Sequence, residues 1–358
     1  MSLVRLLESK NKKILFTTPS HGQKNGLYPP LAGMYKIDIS ETDCYNPQEE
    51  LSRVQLWARS VYQTYSTTFL TNGSTSGIIA AVLSCTKVGD KVLIASNAHP
   101  CHFNAVKLAG ARALTYNLEI DSEWGVPLET RPEIIESYLN KYDIKTVIIT
   151  SPSYEGIISD IEEIKTICER NDAFLIVDEA HGALYPFSDN LPLSAVNIAD
   201  FTVQSLHKTA GGLNPTALLH CNCEIDVKPA LDMFMTTSPS YPLLASIEEN
   251  IAYLDSKEGR KEIENLIIRL DRIREKATGC QFFGDDPTKL LIKVDGLSGY
   301  ELSQILYDDF DIEDERTNEK STMLLCGIGT SSRYATSTCV SSSSQRRYWR
   351  SRSSVATS

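Results

Sequence analysis

The chain reads as an α/β protein, with a mainly parallel sheet covered by helices on both faces and a smaller α+β unit after it. Two observations predict this. Short β-branched runs alternate with helical patterns between about residues 48 and 204. Beyond 240, a long helical stretch gives way to two strand-like runs, one more helix and a last strand. The chain has 358 residues, 42% hydrophobic and 23% charged, which suits a soluble globular protein with a large core.

Residues 48–65 predict the first helix, with Leu51, Val54, Trp57, Ala58 and Val61 on one face. Phe69 and Leu70 close a short strand that runs into Thr71-Asn72-Gly73-Ser74-Thr75-Ser76-Gly77, and 78–84 resumes as a buried helix. After the Gly89-Asp90 turn come a strand over 91–95, a helix over 103–109 and an extended run over 111–116. A helix over 131–142 leads to a strand over 146–150. Asp160 caps the next helix, whose apolar stripe is Ile161, Ile164 and Ile167. Buried strands follow over 173–177 and 201–204. In the later part, one long helix runs from Leu243 through Ile251 to Ile273. Strands over 281–283 and 290–294, a helix over 300–310 and a strand over 323–326 complete it.

This divides the chain into an N-terminal segment (1–45), a large unit (46–240), a linking helix with a small, incomplete unit (241–330), and a tail (331–358). The tail holds eleven serines, five arginines and no acid. It has no apolar period, so disorder is expected there.

The net charge is −11, from 35 basic and 46 acidic side chains, which argues against a nucleic-acid partner. No apolar run approaches the ~20 residues that span a bilayer. No apolar leader follows Met1, so a cytoplasmic location is expected. Nine scattered cysteines read as reduced thiols rather than a disulfide framework. Cys221-x-Cys223 has the wrong spacing for a zinc knuckle, and His99, Cys101 and His102 lack a second ligand pair, so no metal is expected.

Four features fall at the carboxyl ends of strands, where α/β sheets place ligands. Asn72 to Gly77 opens a helix with backbone N–H groups and hydroxyls suited to a phosphate. Asp178-Glu179-Ala180-His181-Gly182 follows the strand Phe174 to Val177. Ser205-Leu206-His207-Lys208-Thr209 follows another, and a lysine enclosed there becomes an amine nucleophile. His99 follows a third. Each feature alone also has an ordinary structural explanation. Their order fits a pyridoxal phosphate site, because the phosphate needs donors, the ring a stacking face, its nitrogen an anion and its aldehyde an amine.

At this point the chain resembles the Orn/Lys/Arg decarboxylase family. The segments that carry the likeness are Thr18-Pro19-Ser20-His21, Thr71 to Gly77, Asn97-Ala98-His99 and Thr150-Ser151-Pro152-Ser153-Tyr154. Further along are Asp178 to Ala183, Gln204 to Thr209 and Thr236 to Leu244. The resemblance implies the fold type I architecture of pyridoxal 5'-phosphate enzymes, with a seven-stranded large-domain sheet. It makes Lys208 the aldimine lysine, Asp178 the partner of the pyridinium N–H, and His99 the residue stacked on the ring. Gly73, Ser74, Thr75, Ser205 and His207 become phosphate-side residues. Ala180 packs on the ring's other face, and His181 assists proton transfer. Thr237 and Ser238 match a loop that reaches the neighbouring subunit's site, which implies a homodimer. The implied reaction is decarboxylation of lysine, ornithine or arginine to an amine of the kind used in polyamine biosynthesis.

The chain departs from the family pattern in three places. Ser20-His21-Gly22-Gln23-Lys24 stands where Gly-His-Lys is usual, and His99-Pro100-Cys101 where His-Lys-Ser is usual. The C-terminal unit is expected to be shortened, since Gly327-Ile328-Gly329-Thr330 runs straight into the tail. Two other readings stay open. An aminotransferase or carbon–sulfur lyase would use the same Lys208 and Asp178, with Arg316 as the late arginine for an α-carboxylate. A non-catalytic cofactor-binding homologue would follow from the shortened C-terminus. For a substrate's distal cation, Glu155, Asp311, Glu313, Asp314 and Glu315 are candidates, although a solvated acidic surface explains them better.

Overall fold

The computed structural model describes residues 2–5, 38 and 49–330. The motif at 18–21, the start of the first helix at 48, most of the 1–45 segment and the 331–358 tail lie outside the described residues.

The elements begin with α1 (Glu50–Tyr62), β1 (Ser66–Leu70), α2 (Gly73–Cys85), β2 (Lys91–Ala95), α3 (Pro100–Leu108) and β3 (Arg112–Tyr116). A small hairpin of β4 (Ile120–Asp121) and β5 (Val126–Pro127) precedes α4 (Pro132–Lys141), β6 (Thr146–Thr150), α5 (Ile161–Arg170) and β7 (Phe174–Asp178). Then come β8 (Phe201–Ser205), α6 (Leu206–Thr209), β9 (Ala217–Cys221) and α7 (Lys228–Leu231). Two long helices follow, α8 (Tyr241–Asp255) and α9 (Lys257–Lys276). The chain continues through β10 (Cys280–Phe283), β11 (Lys289–Val294), α10 (Gly299–Phe310), β12 (Arg316–Thr317) and β13 (Thr322–Leu325).

The main sheet has seven strands in the order β1-β9-β8-β7-β6-β2-β3. Strands β8, β7, β6, β2 and β3 run parallel, and β9 pairs antiparallel with both β8 and β1. Side-chain alternation sorts its two faces. Val92, Ile94, Ile148, Ile176 and Val203 pack with α2 and α3 in one core. Leu93, Val147, Ile149, Leu175 and Val177 pack with Ile135, Leu139, Ile164 and Ile167 of α4 and α5 in the other. α2 crosses closely. A side chain on Gly77 would place its Cβ 2.8 Å from Val203 Cγ1, so glycine is required for that approach.

The second sheet has the order β10-β11-β13-β12, all antiparallel. Its helix α10 starts on a reciprocal cap, in which Ser298 Oγ accepts from Glu301 N–H and Glu301 accepts from Ser298 N–H. The unit is docked on the main one by the turn after β6. The N–H groups of Asp285 and Asp286 both donate to Gly156 O, and Asp286 accepts from Tyr185 OH at 2.8 Å. Gly156, at φ +91°, leaves space that Lys289 fills.

The expected elements are present, and the short helices α6 and α7 are additions to them, with three further differences. The single long helix is two, broken at Ser256, whose extended backbone ends α8 and whose Oγ accepts from Gly259 N–H to start α9. Strand β9 was not expected, because Ala217–Cys221 is a fully buried run without alternation and so carries no period-2 signal. The β4–β5 hairpin and β12 are two residues per strand, too short to leave a pattern. No helix among the described residues is long and apolar enough to cross a membrane.

Candidate active site

A cleft of about 840 Å³ opens at the carboxyl ends of the parallel strands. Gly73, Ser74, Thr75, His99, Asp178, Ala180, His181, His207 and Lys208 all line it. They come from four separate strand ends, those of β1, β2, β7 and β8, or the helices that follow them.

The α2 start supplies the anion-binding corner. Gly73 has φ +74°, a backbone state that favours glycine, and its N–H is committed to Pro215 O at 2.8 Å. The turn that follows presents the first N–H groups of the helix beside the Ser74 and Thr75 hydroxyls. His207 forms the adjoining wall, anchored through Nδ1 to Thr216 O at 3.0 Å. Ser205 is different. It is fully buried behind that wall and does not line the cleft, and its Oγ has no partner.

Asp178 ends β7, buried at the cleft floor. Its Oδ1 accepts from Ala180 N–H at 3.1 Å, and its Oδ2 lies 2.8 Å from His102 Nε2. Burial pushes its carboxyl up, but the His102 contact and the charge of Lys208 outweigh burial and hold it below the ordinary value. The next residue faces away. Glu179 accepts from Ser194 Oγ, Ala195 N–H and Gln204 Nε2, which makes it a brace for β8.

Lys208 stands in the short helix α6, its Nζ 3.0 Å from His181 Nε2. Burial lowers the amine's pKa, against the raising charge of Asp178. His181 is held well below its ordinary value by burial and by the neighbouring cations Lys289 and Lys208, so it is neutral. Tyr154 packs over both, with its ring 4.5 Å from the His181 ring and 5.5 Å from Lys208 Nζ. His99 caps α3, its Nδ1 accepting from Cys101 N–H, and lines the cleft.

Thr237 and Ser238 are exposed and lie outside the cleft of this single chain. Glu155 and Arg316 do line it, with Arg316 Nε 3.5 Å from Glu155 Oε1 and its guanidinium 5.0 Å from the Tyr154 ring. Asp311, Glu313, Asp314 and Glu315 do not. Asp314 instead ties α10 to β12 and β13 through Ser303, Thr317 and Thr322. The partner that His102 lacks in the sequence is Asp178. Cys101, His102 and Asp178 each bring one potential ligand atom within 4.8 Å of the others. Burial pushes the Cys101 thiol up to about 12, so it is no thiolate at neutral pH. Sequence reasoning missed this contact. The signal was two histidines three apart at the start of one helix, which stack on one face.

The profile of the Orn/Lys/Arg decarboxylase major domain matches residues 34–290. The chain belongs to this family. It is 31% identical over 315 residues to YaaO of Bacillus subtilis, covering 82% of this chain and 65% of the relative. It is 27% identical over 352 residues to an arginine decarboxylase of Bacillus cereus, covering 90% and 76%. The lysine decarboxylase LdcF of Francisella novicida superposes with a TM-score of 0.80 at 16% identity, over 93% of this chain and 58% of that one. This likeness shows the fold, which is fold type I. The chain thus spans 65% of the length of YaaO and 58% of that of LdcF.

Orn/Lys/Arg decarboxylases are pyridoxal-phosphate enzymes, and the residues present here fit the group. The cleft offers a helix start with serine and threonine hydroxyls at one end and a buried carboxylate, its pKa held below the ordinary value, at the floor. It also holds a primary amine with depressed basicity. The orphaned buried atoms His181 Nδ1 and Ser205 Oγ lie in or behind the same walls.

Proposed function

We propose that the protein decarboxylates a basic amino acid (arginine, lysine or ornithine), with Lys208 as the residue that carries the cofactor. The observation that carries this reading is the convergence of Lys208, His181 and Asp178 in one cleft beside the acidic Glu155. Pyridoxal phosphate, when bound, supplies an electron-poor ring that accepts the electron pair of the bond broken at the substrate's α-carbon. Asp178 would hold the proton on the ring nitrogen, and Ser74, Thr75, His207 and the start of α2 would take the phosphate. His99 would provide a wall for the flat ring.

Lys208 supplies the amine. Its lowered pKa increases the neutral, nucleophilic fraction at physiological pH. His181, neutral and 3.0 Å away, holds a hydrogen bond to that amine and would assist proton transfer at the substrate's α-carbon. Glu155 is the group for a distal cation, since a substrate ammonium or guanidinium at that point replaces the Arg316 contact. The arginine decarboxylase among the relatives makes arginine the first substrate to test. Thr237 and Ser238, exposed here, would contact a second copy of the chain in a homodimer, which light scattering would detect.

Arg316 in the cleft favours one other reading, an aminotransferase that grips the α-carboxylate. Assaying carbon dioxide and keto acid from the three amino acids separates the two. Carbon dioxide with a stoichiometric amine, absent in Lys208→Ala, supports the decarboxylase. Keto acid without carbon dioxide overturns it.

A further inference from the structure

We propose that His102 is a positioning residue that orients the Asp178 carboxylate toward the ring nitrogen of the cofactor. This rests on the function proposed above. His102 sits three residues beyond His99 on α3, so one helical turn presents His99 at the cleft and His102 beneath it. Its ring is fully buried, and the contact of Nε2 with Asp178 Oδ2 at 2.8 Å is its hydrogen bond to the rest of the protein. Nδ1 has no partner.

A buried imidazole with an unmatched nitrogen costs stability, whereas an apolar side chain of similar size would fill the same space without that cost. What the polar ring supplies at this position is the bond to Asp178. With Oδ1 tethered by Ala180 N–H and Oδ2 by His102, the plane of the carboxylate is set before the cofactor arrives. Without His102 one oxygen is loose and the group turns about its Cβ–Cγ bond. With a proton on Nε2, His102 donates this bond and Asp178 accepts it, so the carboxylate stays aimed at the ring nitrogen. The other titratable groups facing Asp178 are Lys208, His99, Cys101 and Tyr154.

The test compares the wild type with His102→Leu, His102→Phe and His102→Gln. Glutamine places an amide N–H near the position of Nε2, whereas the other two offer volume alone. Three quantities are read: the pyridoxal phosphate dissociation constant by absorbance titration, kcat and KM for carbon dioxide release, and the exchange protection of the imidazole N–H by NMR in cofactor-free protein. The apolar variants should weaken cofactor binding and lower kcat by about tenfold to a hundredfold, the range of one charge-assisted hydrogen bond, with KM little changed. His102→Gln should recover most of both. The protected imidazole proton should be present in wild type and lost in Asp178→Ala.

Apolar variants that bind the cofactor and turn over like wild type overturn the role of His102 and leave the function standing. So does a glutamine variant as impaired as the folded apolar ones, since the ring would then act by packing. A wild type that shows the protected proton yet takes up no pyridoxal phosphate overturns the function, and the positioning role with it.

Discussion

Lys208, the amine proposed to carry the cofactor, shows how burial changes an ordinary side chain. An exposed lysine is almost wholly protonated at neutral pH. Here burial lowers its pKa, and Asp178 opposes the shift. The sign is testable. Attachment of pyridoxal phosphate needs the neutral amine, so its rate should rise with pH and level off below pH 10.5, the amine's ordinary value. Removing the charge in Asp178→Asn should move that midpoint lower still, as stopped-flow absorbance would record. Glu155 carries a different prediction. In Glu155→Gln, KM for arginine or lysine should rise by about tenfold to a hundredfold, as expected when a charged group loses its partner, with kcat less affected. An unchanged KM would remove Glu155 from substrate binding. At this scale the sequence shows strand-end residues well, because Asp178, His181 and Lys208 lie in short motifs with readable spacing. It does not show contacts between distant segments. His102 and Asp178 are 76 residues apart, and Arg316 reaches Glu155 only because β12 is an edge strand of the second sheet, which docks on the turn after β6.

Among the elements, the elbow between α8 and α9 is a local break that the sequence marks only weakly. Residues 255–262 carry no apolar side chain but are mostly charged helix formers, so the apolar runs on either side read as one helix. The break is enforced by Gly259, where an added Cβ would stand 1.9 Å from Tyr253 O. Ser256→Ala removes a cap and should cost about 1 kcal/mol in denaturant unfolding. Gly259→Ala must displace backbone and should cost clearly more. Equal losses would mean that the cap, rather than the close approach, holds the elbow. Strand β9 went unread for the opposite reason. Its run Ala217-Leu218-Leu219-His220-Cys221 is buried on both faces, and its one polar side chain is satisfied internally, by Thr67 and Gln204.

For the whole molecule, the cleft depends on how the second sheet is held over the first. The buried pair Lys289–Asp286, both side chains fully inaccessible, lies at that junction with Tyr185 OH donating to the same carboxylate. Breaking one side leaves the other charge uncompensated. Lys289→Met should therefore cost about 3–5 kcal/mol, and Lys289→Met with Asp286→Asn distinctly less, as measured by urea unfolding. The parallel arrangement of the sheet was legible from buried β-branched strands alternating with amphipathic helices. The docking was not, since it rests on a glycine of positive φ and a buried ion pair whose members look like surface charges in sequence.

The most direct measurement is borohydride reduction of the protein loaded with pyridoxal phosphate, followed by peptide mapping. A visible absorption band that reduction abolishes, with the cofactor fixed on the peptide carrying Lys208, is the expected result. Label on another lysine, or no band in the folded wild type, would contradict the assignment of Lys208 and the chemistry proposed for this cleft.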